Sequence, residues 1–158
     1  MFRLSKKVEY GILAVQYMAS HPNDLLTVKD IAGNLDLSFE FMSKSMQTLT
    51  RKGIVNSQQG IKGGYALAIN PDKITIMDII RAFDEKISIV ECFDASIYDC
   101  NRTDNCSLRN PLNILQKKVE NIFHSTTISD LSRNEINNIE YTKNNNFIKL
   151  TTNVNTGN

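Results

Sequence analysis

A mainly α, winged helix-turn-helix fold with a two-stranded wing and a long C-terminal dimerisation helix is predicted by three features of this 158-residue sequence. Two capped helical patterns are separated by a short turn, a glycine-rich hairpin pattern follows the second, and a late helix carries an apolar seam. The length suits one domain of ordinary core size with an appendage.

Taken in order, Ser5 caps a first helix whose apolar positions Val8, Ile12, Val15 and Ala19 keep helical spacing, and Pro22 ends it. Thr27 and Asp30 have the form of a capping box and lead through Ile31 and Ala32 to Leu35, a short second helix. Ser38 caps a third helix with Phe41, Met42, Met46 and Leu49 turned inward, and Gly53 stands where a left-handed residue closes it. Two short runs, "IVNSQ" and "YALAI", then flank the turn "GIKGG", the pattern of a wing. After Asn70-Pro71, "TIMD" opens a fourth helix with Ile76, Ile79, Ile80 and Phe83 on one face. An Asp- and Asn-rich loop follows. Asn110-Pro111 then places proline at the first position of a further helix, with Leu112, Leu115, Val119 and Ile122 spaced as a coiled-coil-like seam. The same spacing also describes an amphipathic helix packed on its own domain. From Asn134 on, nine of twenty-five residues are asparagine, a composition that reads as disordered. The expected organisation is a winged-helix DNA-binding domain over 1–84, a cysteine-bearing loop over 85–110, a dimerisation helix region over 111–133 and an Asn-rich tail over 134–158.

Charge is divided unevenly. Residues 1–70 carry eight Lys/Arg against five Asp/Glu, and residues 71–106 carry four against eight. A polyanion therefore belongs on the first 70 residues. No apolar run is long enough to span a bilayer, so no membrane partner and a cytoplasmic location are expected. In a winged helix the second helix of the motif enters the major groove and the wing follows the backbone or minor groove. The candidate DNA-binding residues are thus Ser38, Glu40, Ser43 and Lys44 on the third helix, and Gln59 and Lys62 at the wing tip. Glu40 can accept from a cytosine amino group or simply complement the helix dipole; Lys62 can meet DNA or only water. A single module makes few phosphate contacts, so a two-fold homodimer on a palindromic operator is expected, built on Leu112, Leu115, Val119 and Ile122.

All three cysteines, Cys92, Cys100 and Cys106, fall in "ECFDASIYDCNRTDNC". An odd count in a reducing compartment leaves metal binding, redox chemistry or core packing.

Together, "FRLSKKVEYGILAVQYMA", "TVKDIAGNLDLSFEFMSKSMQTLTRKGIV", the wing "QQGIKGGYALA", "ITIMDIIRAFDE" and the clustered cysteines resemble the Rrf2 family of bacterial winged-helix repressors over about residues 2–133. Its branches include regulators of iron-sulfur cluster assembly, nitric oxide sensors and iron-responsive regulators; some members lack cysteines and read other signals. The resemblance implies a homodimer with a long helix crossing to the partner. It also implies an iron-sulfur cluster, 4Fe-4S in preference to 2Fe-2S, on Cys92, Cys100 and Cys106. Seven residues separate the first pair and five the second, where many members have five and five; the longer gap is more like the iron-responsive branch. In the cluster-assembly branch a histidine follows the last cysteine by three residues, but Arg109 stands there and cannot ligate iron. In the nitric oxide branch a carboxylate of the other subunit completes the set, and the matching residue is Glu9. His124, Asp99, Asp104 and a ligand from solution compete for that place.

The function expected is a DNA-binding transcriptional repressor whose affinity is set by a cluster sensing iron, nitric oxide or redox state. The alternative keeps the fold and makes the thiols a cluster-free redox switch. No catalytic motif is found, and no enzyme is expected.

Overall fold

The computed structural model describes residues 3–60, 62–93 and 105–133. They form α1 (Lys6–Ala19), α2 (Val28–Asn34), α3 (Phe39–Arg51), β1 (Val55–Gln58), β2 (Gly64–Leu67), α4 (Ile76–Ala82), α5 (Arg109–Ser125) and α6 (Ile128–Arg133). Short 3-10 turns lie at Pro71–Lys73 and Glu91–Phe93. Among these residues no helix is long and apolar enough to cross a membrane. The tail expected to be disordered, 134–158, lies outside the described residues.

Local chemistry sets most helix starts. The Ser5 and Ser38 hydroxyls accept from the Val8 and Phe41 amides, and Thr27 with Asp30 and Thr75 with Asp78 form complete capping boxes. Gly53 closes α3 at φ +75°, the conformation that glycine adopts without a Cβ penalty. The core joins Val8, Val15 and Met18 of α1, Ile31 of α2, Met42, Met46 and Leu49 of α3, and Ile79 and Ile80 of α4, all essentially inaccessible. Hydrophobic burial over these helices dominates the stability.

Two expectations need correction, and the region 111–133 gains detail. Pro111 is the third residue of α5 and not the first; it is tolerated there because first-turn amides have no helical acceptor. Phe83 lies one residue beyond α4, and its ring rests against Gly11 of α1. Residues 111–133 form two helices: after α5 the chain returns along residues 74–76, with the Ile76 amide bonded to the Thr126 carbonyl at 3.0 Å and the Ile128 amide to the Ile74 carbonyl at 2.9 Å. The return seats α6 on α1, with Ile128 wholly buried and Gln16 Nε2 donating to the Leu131 carbonyl at 3.4 Å.

Candidate DNA interface and cysteine loop

The helix-turn-helix is built from short-range bonds. Thr27 N–H and Oγ1 donate to Asp30 Oδ2 at 3.1 and 2.6 Å, and the Asp30 amide donates back to Thr27 Oγ1 at 3.2 Å. The Thr27 hydroxyl and amide hold the Asp30 carboxyl below the usual range. The turn passes through Asp36 at φ +52°, tolerated by a short polar side chain, and the Leu37 amide donates to the Ala32 carbonyl at 2.9 Å. α3 then buries Met42, Ser45, Met46 and Leu49 and leaves Phe39, Glu40, Lys44 and Gln47 open, with Ser43 half-buried between them. Of the predicted reading residues, Glu40, Ser43 and Lys44 therefore share the outer side, while the Ser38 hydroxyl is occupied as the helix cap. Phe39 and Gln47 were not anticipated. Gln47 follows Ser43 by one helical turn, a signal available from spacing; Phe39 is apolar and reads as core.

Residues of β1 and β2 pair antiparallel from Val55 with Leu67 to Gln58 with Gly64. Leu26 exchanges two backbone hydrogen bonds with Tyr65, at 3.0 and 2.8 Å, so the wing is tied to the chain just before α2. At the tip Gly60 has φ +128°, and the Gly63 amide donates to its carbonyl at 2.9 Å. A Cβ on Gly63 would overlap the Gln58 carbonyl oxygen and stand 2.8 Å from that of Gly60, so only glycine fits this turn. Gln59 and Lys62 are exposed on either side of the tip.

A cleft of about 270 Å³ beside α3 gathers Lys7, Lys44 and Arg51 around Ser45 and Thr48. Asp84 also lines it, but Lys52 Nζ donates to its carboxylate at 2.8 Å and holds that carboxyl below its ordinary range. Three cations from two helices give this cleft a mostly positive lining, the charge that suits phosphate oxygens. Lys7 and Arg51 join the predicted set only through this packing.

Beyond α4 the chain is fastened to α5 by Gln116, which is 6% exposed. Its Oε1 accepts from the Ile89 amide at 2.9 Å, and its Nε2 donates to the Ile87 carbonyl and to Glu120 Oε1 at 2.8 Å. Cys92 follows, exposed on the Glu91–Phe93 turn. It lines a cleft of about 800 Å³ together with Arg81, Glu85, Lys86, Gln116 and Glu120. Cys106 is half-buried three residues before α5, and its carbonyl accepts from the Arg109 amide at 3.3 Å. Neither thiol is in a disulfide. Cys100, like Asp99 and Asp104, lies outside the described residues, and among the described residues no three His, Cys, Asp or Glu side chains gather as a metal site.

Glu9 sits half-exposed in the first turn of α1, with Lys6 Nζ donating to it at 2.7 Å. That bond raises the Lys6 ammonium above its ordinary pKa. His124 is exposed near the end of α5, with Nε2 3.3 Å from Arg81 Nη2. Chemically the donor types suit iron: the Cys92 and Cys106 thiols are soft ligands, and an accessible carboxylate such as Glu9 is a harder, more exchangeable one.

Four apolar residues were expected to form the dimer seam. Val119 packs against the core with Phe123, Leu112 and Ile122 are half-buried, and Leu115 is 48% exposed. Leu108 at 60% and Ile114 at 58% extend the open stripe beyond the predicted positions.

Comparison with known proteins gives a consistent result. The Rrf2 family, described as an iron-dependent transcriptional regulator, matches residues 4–134. The HTH-type transcriptional regulator NsrR of Bacillus subtilis is 28% identical over 134 residues, covering 84% of this chain and 92% of that one. The solved structure of CymR, the global cysteine regulator of B. subtilis, superposes with a TM-score of 0.70 at 30% identity over 85% of this chain and 98% of its own. IscR of T. potens superposes with a TM-score of 0.65 at 26% identity, over 84% and 88%.

Proposed function

Because the chain belongs to the Rrf2 family of transcriptional regulators, we propose that this DNA-binding regulator acts as a homodimeric repressor of palindromic sites. In this reading its grip on DNA is set by an iron-sulfur cluster, 4Fe-4S in preference to 2Fe-2S, held by Cys92, Cys100, Cys106 and Glu9 of the partner subunit. One observation carries the proposal: Cys92 and Cys106 flank the stretch of sequence between the DNA-binding unit and α5, the helix with the open apolar stripe.

Ser43, Lys44 and Glu40 present α3 to base edges, Gln59 and Lys62 carry the wing to the neighbouring backbone, and Lys7 and Arg51 face phosphates. Leu108, Ile114 and Leu115 cover one another across the two-fold axis, fixing the separation of the two α3 helices. Gln116 ties the segment before Cys92 to that same helix, so a change at the thiols is felt at the interface. Glu9 has to leave Lys6 to serve the other subunit, which makes it the weakest member of the set. When bound, a cluster supplies a centre whose integrity depends on iron supply, nitric oxide and redox state.

The test is anaerobic purification with iron and sulfide analysis, visible absorption and operator binding for the wild type and for Glu9→Ala. Expected are a coloured wild type, a bleached or shifted variant and altered DNA affinity. Unchanged colour and affinity remove Glu9 from the set, and colourless, iron-free wild type that binds fully removes the cluster.

A second reading rests on the exposure of Cys92, in a cleft that carries Arg81 and Lys86 together with Asp84, Glu85 and Glu120. An exposed thiol is open to oxidants, so thiol oxidation in a cluster-free protein is the alternative switch. Iron-free protein whose DNA affinity falls on peroxide treatment and recovers with dithiothreitol identifies it.

A further inference from the structure

Phe39 is the first residue of α3, and 56% of its surface is open to water. Its aromatic neighbour in sequence behaves differently: the Phe41 ring meets the Tyr10 ring edge to face, with centroids 5.0 Å apart. Phe39 precedes Met42 by three residues and Met46 by seven, a spacing that belongs to the inner stripe. It nevertheless stays open in the first turn of α3. It shares the flank of α3 with Ser43, one turn further on, and is followed directly by exposed Glu40.

A bare ring at this position exposes apolar surface at a cost. The N-terminal turn of the second helix of a helix-turn-helix is the part that meets base edges. In the major groove the base-edge group matched to such a ring is the C5-methyl of thymine. We propose that Phe39 is a specificity-determining residue that reads one thymine in each half-site through its methyl group. The proposal rests on α3 being the helix that enters the groove.

The probe is a duplex selected from a random-sequence pool by the full-length wild-type chain, in which each thymine is replaced in turn by deoxyuridine. That exchange deletes one methyl and leaves base pairing intact. Expected is a loss of about four-fold in affinity per half-site at one symmetry-related pair of positions, the worth of one buried methyl. Phe39→Ala is expected to keep the wild-type melting temperature, bind more weakly and ignore the same exchange. Phe39→Leu, which keeps an apolar contact, carries the comparison if the alanine variant binds too weakly to measure. The proposal is overturned if no exchange is felt by the wild type, or if the variants feel it as strongly. Lys44→Ala separates the two layers of inference: weaker binding by this variant, together with a wild type indifferent to uracil, overturns the thymine contact alone, whereas unchanged binding in both the Lys44 and Phe39 variants removes α3 from the groove. A DNA-independent self-association lost in Phe39→Ala assigns the ring to a protein contact and also overturns the proposal.

Discussion

Gln116 accepts the amide proton of Ile89 at 2.9 Å and donates to the carbonyl of Ile87, so a side chain of α5 takes the place of a neighbouring strand for the segment that leads to Cys92. Replacing it by leucine keeps the bulk and leaves both backbone groups without their partner. Gln116→Leu is expected to cost about 1–3 kcal/mol of stability, measured as a lowered urea midpoint with unchanged slope. It is also expected to narrow the difference in DNA affinity between protein with intact and with modified thiols. A variant that melts like the wild type and keeps its full response would show that the clamp transmits nothing.

The elements that local chemistry specifies were legible in the sequence, and those set by packing were not. Thr27 with Asp30, Thr75 with its Asp78 and the cap at Ser38 announced α2, α4 and α3 because each needs only residues three apart. The same signature stands in Thr127-Ile128-Ser129-Asp130 and starts α6, with the Thr127 amide donating to Asp130 Oδ2 at 2.8 Å. Its four residues lie past the apolar seam at 112–122, where helical spacing alone gives no sign of a second helix. Helical spacing found Leu115 and Val119 but could not say which side of α5 meets its own core; the structure turns Val119 inward and leaves Ile114 and Leu115 open. Gln116 carried no pattern, since its importance comes from residues 27 and 29 positions away. The basic cleft is likewise a product of assembly, drawing Lys7 from α1 to Lys44 and Arg51 of α3.

The open stripe on α5 can be tested without DNA. Leu115→Lys places a charge in the open stripe that it shares with Leu108 and Ile114, where a second copy would desolvate it. In the free chain the site faces water, so the helical content and melting of a monomer should be preserved. Sedimentation velocity is expected to show a dimer for the wild type and a monomer for the variant, with operator affinity lowered more than ten-fold because only one half-site is engaged. A dimer that persists at micromolar concentration moves the interface elsewhere.

The wing depends on the absence of a side chain at Gly63. In Gly63→Ala the new Cβ meets the backbone oxygens of Gln58 and Gly60, which cannot swing away as a side-chain end can. The tip must re-form, displacing Gln59 and Lys62 while Leu26 still holds Tyr65 at the wing's base. A loss of about 1–3 kcal/mol in stability is expected from the strain, together with weaker binding to specific and random duplexes alike, since backbone contacts carry no sequence information. Full affinity in this variant would show that the wing stays clear of DNA.

Acid should loosen the seat of α6 before it unfolds the core. The Thr127 amide and hydroxyl both donate to Asp130, at 2.8 Å each, and hold its carboxyl below the ordinary range. A carboxyl with a depressed folded pKa contributes stability that is present above its unfolded pKa and is lost as the pH falls through the folded value. Asp30 and Asp84 are depressed in the same direction by Thr27 and Lys52, so the wild type should lose stability steadily below the usual carboxylate range. Asp130→Asn removes one titrating group and retains an acceptor, and its urea midpoint should fall less steeply over that interval. Thr127→Ala removes the cap itself and is expected to cost about 1 kcal/mol at neutral pH, with its deficit against the wild type shrinking as acid protonates Asp130. Parallel pH profiles for all three proteins would mean that the box at the start of α6 contributes nothing to the acid response.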